Sequence, residues 1–152
     1  MYVLVVNAGS SSLKYQLMDT TAEKVLAKGV CERIGIDGHI EHKNDAGDKF
    51  ERDIPMPNHS VAIQIVVDTL TDAKIGCIKD MSEIEAVGHR AAHGGNYFSD
   101  NVYIEGDVME RFELCREIAP LHTGPHIMGI QGCTAVMPNV PQVIVFDTVF
   151  HK

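Results

Sequence analysis

Four short segments carry side chains suited to handling anions. The first, Asn7-Ala8-Gly9-Ser10-Ser11-Ser12-Leu13-Lys14, is a Gly- and Ser-rich turn between two apolar runs. Such a turn offers backbone N–H groups and hydroxyls to phosphate oxygens, and Lys14 adds a cation beside it. It is neither a P-loop nor a dinucleotide fingerprint, because the GxxxxGK and GxGxxG spacings are both absent. On composition alone the simpler reading is an ordinary hairpin connection. The second segment is Gly88-His89-Arg90-Ala91-Ala92-His93-Gly94-Gly95. An Arg leaving a buried strand beside a Gly-Gly loop can grip a carboxylate or phosphate with its planar fork, or it can simply be a surface Arg. The third and fourth are Ala119-Pro120-Leu121-His122 and Phe146-Asp147-Thr148. A carboxylate at the end of a buried strand suits a metal-linked or catalytic acid, although a lone one more often caps a turn. His89 with His93, and His122 with His126, have the i, i+4 spacing that invites zinc. The first pair spans a strand-to-loop junction, and neither has a Cys or acidic ligand at a fitting distance, so a structural zinc site is not expected.

The elements that must hold these segments follow from hydrophobic periodicity. Tyr2 to Val6 is a continuous apolar, β-branched run, and Leu13, Tyr15 and Leu17 alternate with polar residues. Val25 to Cys31 predicts a third strand, so the N-terminus reads as an antiparallel three-stranded meander. His39 to Lys43 and Lys49 to Ile54 flank the turn chemistry of Asn44-Asp45-Ala46-Gly47-Asp48. Ile63, Val66, Val67 and Leu70 predict an amphipathic helix capped by Asn58 or Ser60. Ala86 to Arg90 predicts a short buried strand, and His93 to Asn96 a loop. One helix is expected from Asp107, burying Val108, Phe112 and Cys115. Another is expected after Thr123-Gly124-Pro125, burying Ile127, Ile130 and Met137. Val143 to Phe146 predicts a final buried strand. The expected fold is α/β, a mixed sheet with helices on its faces.

Composition narrows the partners. Of the 152 residues 45% are hydrophobic and 22% charged, which excludes a disordered tail, a collagen-like repeat and a coiled-coil rod. Thirteen basic against twenty-one acidic residues leave a net charge of −8, so nucleic acid is not an expected partner. No apolar run approaches the roughly 18 residues that span a bilayer, and the N-terminus lacks the features of a signal peptide. The four cysteines, at 31, 77, 115 and 133, form no CxxC pair and read as buried thiols of a reducing cytoplasm.

Taken in order and at their intervals, the four segments resemble the acetate kinases, and the resemblance runs over the whole chain. Propionate kinases share all four motifs; butyrate kinases carry altered versions of the first two and fit less well. The resemblance implies a ribonuclease-H-like domain of the acetate and sugar kinase/Hsp70/actin superfamily, with residues 1–152 as the N-terminal of two domains. It implies Mg²⁺-dependent, reversible transfer of the ATP γ-phosphoryl group to acetate, giving acetyl phosphate and ADP. Residue by residue, it puts Asn7 near Mg²⁺ and the phosphates, and Ser10 and Ser12 in the phosphate turn. Lys14 becomes an ATP-binding residue, and Arg90 the holder of the substrate carboxylate. Asp147 becomes the catalytic acid/base or metal-linked carboxylate, and His122 a residue facing the phosphoryl site. Ala92 and Leu121 shape the acyl pocket. Acetate is already ionised, so what opposes the reaction is anion meeting anion; that favours Asp147 acting through the metal.

Two local departures stand out: Thr123-Gly124-Pro125 replaces the family's Asn-Pro, and Ala91-Ala92 replaces its Val-Val. The family is also more than twice this length. Its remaining part carries a second His and Arg at the phosphoryl site, the adenine loops, a metal-linked Glu and most of a homodimer interface. The expectation is therefore an N-terminal half with little activity alone. The rival expectation is a non-catalytic phosphate- or nucleotide-binding module, which leaves Arg90 and Asp147 without a task.

Overall fold

A computed structural model of the chain describes residues 1–91, 102–104 and 124–146, with side chains over 1–89 and 128–143. Strands β1 (Tyr2–Ala8), β2 (Leu13–Asp19), β3 (Lys24–Glu32), β4 (His39–Asn44) and β5 (Lys49–Asp53) form an antiparallel series. Helix α1 (His59–Leu70) follows, then β6 (Ile84–Ala91), β7 (Val102–Ile104), helix α2 (Gly124–Val136) and β8 (Gln142–Phe146). The eight strands make one sheet in the order β5-β4-β3-β2-β1-β6-β8-β7, with β1, β6 and β8 mutually parallel. Strand β7 pairs antiparallel with β8 at the edge.

The predicted meander, hairpin, helix near residue 63 and strands near 88 and 144 are all present. Asn58 is the N-cap of α1, its side chain accepting from Val61 N at 2.9 Å; Ser60 lies inside the helix. Strand β1 runs two residues past Val6, so Asn7 and Ala8 belong to the strand and the turn is 9–12. The short β7 had no signal in the sequence. Neither had the 3-10 turn Met81–Glu83, closed by a reciprocal Asp80–Glu83 capping box. The expected loop at His93–Asn96, the helix from Asp107 and the burial of Ile127 lie outside the described residues.

Alternation sorts β1, β2 and β4 into two faces. Leu4, Val6 and Ala8 of β1 and Leu13, Tyr15 and Leu17 of β2 are buried with Ala62, Ile63, Val66 and Leu70 of α1 and Cys133 of α2. Both described helices therefore cover the same face. Burying each large aliphatic side chain contributes about 1.5–3 kcal/mol, so this one-sided core is the main source of stability. The cysteines fit: Cys31 and Cys133 are buried, and desolvation pushes their thiols up to about 12 and that of Cys77 up to about 11. Cys115 lies outside the described residues.

One row of the buried face is polar. Tyr15, Gly29 and His42 sit side by side across β2, β3 and β4. Gly29 has no side chain to separate its neighbours, so the Tyr15 ring crosses over it and stacks on His42, with centroids 5.8 Å apart. Burial raises the Tyr15 pKa far above its ordinary value, and its O–H donates to His42 Nδ1 at 2.6 Å. A Cβ on Gly29 would lie 2.3 Å from the Glu41 carbonyl oxygen and 2.5 Å from the Tyr15 hydroxyl. Gly29→Ala should therefore destabilise the chain by about 1–3 kcal/mol, read from the urea midpoint. An unchanged midpoint would show that the row tolerates a methyl group.

His42 also makes stability depend on pH. Burial holds its imidazole below the ordinary value, partly offset by the Ile75 carbonyl. The unfolded chain, at about 6.5, thus takes up the proton before the folded chain does. This contribution is complete above about pH 6.5 and is lost as pH falls through the unfolded and then the folded value. Between pH 7 and 5 the wild-type chain should lose stability faster than His42→Phe. Parallel curves would mean that His42 takes up its proton at the same pH in the folded and unfolded chains.

Candidate functional site

Because β1, β6 and β8 run parallel, their carboxyl ends emerge along one edge of the sheet. Ligands of open α/β sheets bind outside such ends. Asn7 lies at the end of β1, Arg90 at the end of β6 opposite Val145, and Phe146 closes β8 immediately before Asp147 in the sequence. Asn7 and Lys14 are direct cross-strand partners and both are exposed. The structure thus brings Asn7, Lys14 and the backbone of Arg90 to one edge. The side chain of Arg90 lies outside the described residues, as do Ala92, Leu121, His122 and Asp147 themselves.

The turn from β1 to β2 is held from three sides. Gly9 N donates to Ser12 O at 2.8 Å, and Ile34 N donates to Ser11 O at 2.9 Å. A Cβ on Gly9 would come within 2.6 Å of Ser12 Oγ, so only glycine lets the hydroxyl fold over the turn. Ser10 is exposed and Ser12 half-buried. The third anchor is His59, the first residue of α1, which is 4% exposed. Its Nε2 donates to the Gly9 carbonyl at 2.8 Å, tying the helix to the turn fifty residues earlier. Sequence reasoning missed this residue; its one signal was a His directly after an N-cap Asn.

Behind the edge, a buried polar chain fixes β6 and β8. Gln142 Nε2 donates to Thr134 Oγ1 at 2.8 Å, and Thr134 Oγ1 donates to the Ile130 carbonyl at 2.8 Å. That direction makes Gln142 Oε1 the acceptor from His89 Nε2, at 2.6 Å. His89 is therefore a buried strut between two strands and α2. His93, His122 and His126 lie outside the described residues.

In front of the edge the open face of the sheet forms a groove of about 510 Å³, lined in part by Asn7, Lys14, Lys28, Lys43 and Lys49. Register puts Lys28, Lys43 and Lys49 directly opposite one another on β3, β4 and β5. Among the described residues none of these three is ion-paired, while Glu41 and Glu51 line the same groove in the row of Asn7 and Lys14, so its lysines and glutamates stand in separate rows.

The sequence profile of the acetokinase family matches residues 2–152. The chain belongs to the acetokinase family. It is 54% identical over 152 residues to an acetate kinase of Agathobacter rectalis and 55% identical over 151 residues to one of Clostridium kluyveri. These matches cover 100% and 99% of the chain, but it spans only 38% and 37% of those relatives. Among solved structures it superposes on the acetate kinase of Porphyromonas gingivalis with a TM-score of 0.84 at 40% identity, covering 98% of this chain and 38% of that one. A propionate kinase from Francisella tularensis follows at 0.78 and 35%, covering 99% and 38%. The expected α/β, actin-like domain is thus the fold of this chain. Among the described residues no helix is long and apolar enough to cross a membrane.

His59→Ala should leave the Gly9 carbonyl without its donor and destabilise the chain by about 1–3 kcal/mol in urea unfolding. His59→Gln, which keeps a side-chain N–H, should lose less. Equal losses in both variants would make the imidazole's packing, and not its hydrogen bond, the anchor of the turn.

Proposed function

We propose that this chain supplies the phosphate turn and the substrate-carboxylate grip of an acetate kinase, acting within a whole protein of the length of its relatives. The convergence of β1, β6 and β8 at one edge carries the reading, because it gathers Asn7, Lys14 and Arg90 beside the strand end that precedes Asp147. The reaction transfers the γ-phosphoryl group of ATP to an acetate oxygen, giving acetyl phosphate and ADP. Both reactants are anions, so the barrier is electrostatic and positional. In this reading Lys14 and the N–H and hydroxyl groups of Ser10 and Ser12 hold phosphate oxygens. The guanidinium of Arg90 holds the acetate carboxylate in line, and His122 faces the group in transfer. Ala92 and Leu121 wall the methyl group.

Mg²⁺ fits the donor set. Asn7 offers an exposed carboxamide oxygen, a hard ligand that Mg²⁺ accepts alongside carboxylates and substrate phosphates. When bound there the ion neutralises phosphate charge, and Asp147 is the carboxylate that would share it. The active unit is a homodimer in the cytoplasm.

Propionate is the second acceptor to test, because a propionate kinase is among the structural neighbours and Ala92 leaves more room than the Val expected from the resemblance. Burying one further methylene contributes about 0.8 kcal/mol.

The test is formation of acyl phosphate by the whole protein with acetate and with propionate. Arg90→Ala should lower kcat/KM by about 10²-fold or more for either acid. Near-normal turnover in that variant would remove Arg90 from the site. No transfer to either acid by the wild-type protein would leave the non-catalytic phosphate-binding module as the better reading.

A further inference from the structure

On the open face of the β4–β5 hairpin, His39, Glu41 and Glu51 project together, the two glutamates in the row that begins with Asn7, Lys14 and Val30. Register pairs Glu41 directly opposite Glu51, and His39 opposite Asp53. Like charges directly opposite in an antiparallel pair repel, and among the described residues neither glutamate has a Lys or Arg partner. Their only charged neighbour is His39, whose Nε2 lies 3.8 Å from Glu41 Oε1 and 3.8 Å from Glu51 Oε1. That is too long for a hydrogen bond. It is close to the separation of about 3.4 Å between two ligands on a tetrahedral ion with bonds near 2.1 Å. All three donor atoms lie within 4.8 Å of one another.

The other side of the imidazole is already fixed. His39 Nδ1 donates to Asp53 Oδ1 at 2.6 Å, and Arg33 holds the same carboxylate oxygen at 3.3 Å and Asp37 at 2.6 Å. An Nδ1–H committed to a carboxylate leaves the Nε2 lone pair facing the two glutamates, which is how metal-binding histidines are oriented. The ring is held in place, its side chain only 14% exposed, while both glutamates reach solvent.

We propose that His39, Glu41 and Glu51 form a binding site for a first-row divalent cation of the zinc type, with Asp53 as the positioning residue. One nitrogen and two carboxylate oxygens suit Zn²⁺, leaving a fourth position for water. An imidazole ligand is poorly suited to Mg²⁺, which prefers all-oxygen octahedra. The buried thiols of Cys31 and Cys133 are not competitors, since their raised pKa values disfavour the thiolate that binds metal.

The test is calorimetric titration of the 152-residue chain with zinc chloride in the presence of excess Mg²⁺. One equivalent should bind, and His39→Ala and Glu51→Gln should each weaken binding about tenfold or more; Asp53→Asn should weaken it by about the same factor while leaving the stoichiometry intact. Glu51→Gln alters only an exposed end on an outer strand, so its circular dichroism should match wild type and keep the comparison valid. No zinc uptake by the wild-type chain, or equal affinity in His39→Ala, Glu51→Gln and wild type, would overturn the proposal.

Discussion

Leu4, Val6 and Ala8 lie on the face of β1 that packs against the helices, and burying them decides how this strand can sit. A shift of one residue would turn all three into solvent and bring Val3, Val5 and Asn7 inward. With the register held, β1 pairs antiparallel with β2 and parallel with β6, Val6 lying beside His89. Asn7 is then outward-facing next to Lys14, and the carboxyl ends of β1 and β6 reach the same edge. The candidate site is thus a consequence of apolar packing on the opposite side of the sheet. No polar interaction at the edge is needed to assemble it.

Two buried polar links then set the edge in detail. His59 joins the first turn of α1 to the Gly9 carbonyl, and the His89–Gln142–Thr134 chain joins β6, β8 and α2. Hydrogen bonds to the buried side chains of His59, His89 and Gln142 are costly to leave unmade, so each link admits few alternative geometries. The two helices that cover the core therefore also aim the turn and the strand ends. Loosening either helix would be felt at the site without touching any residue in it.

Much of this was legible in the sequence, and the parts that were not share a physical cause. Alternation in Leu13–Leu17 and the i, i+3, i+4, i+7 spacing from Ile63 to Leu70 report which face of an element is buried. They therefore located β2 and α1, while the choice of Asn58 over Ser60 as N-cap came from the structure. Periodicity does not report which strand lies beside which. The placement of β6 next to β1, which creates the edge, came into view only with the sheet order. Strand β7 is three residues long, too short to show a period. The four motifs were noticeable because their residue types are chemically unusual, whereas Asn7 beside Lys14 came from the strand pairing, the sequence having put Asn7 in the turn. His59 and Gln142 were not readable, because each acts through a partner fifty or more residues away. His89 has the type and spacing of a ligand, and its bond to Gln142, invisible in the sequence, makes it a brace between β6 and β8.

The open face of the hairpins shows a different economy from the core behind it. Its side chains fall into two rows that cross the strands: one carries Val30, Glu41 and Glu51, the next Lys28, Lys43 and Lys49. Within each row like charges stand opposite one another, a local cost of a few tenths to about 1 kcal/mol per pair. Along β4 the signs alternate, so Glu41 lies between His39 and Lys43, and the two rows attract. The net effect on stability is small, as it is for most exposed charge, and a screened surface of this kind is held in place by the core alone. What the arrangement does create is a polarised surface: anionic toward the His39 end of the hairpin and cationic toward the Asn44–Asp48 turn. A face serving only solubility would gain by mixing the signs within each row as well as between rows. Sorting them by row instead puts the two glutamates in line with Asn7 and Lys14, toward the end of the sheet that carries the Gly9–Ser12 turn, and the lysines one row behind, in line with Val5 and Gln16. An anion approaching that edge would therefore meet Lys14 and the glutamate row before the lysine row, whose field would act from behind over about 8–10 Å in physiological salt.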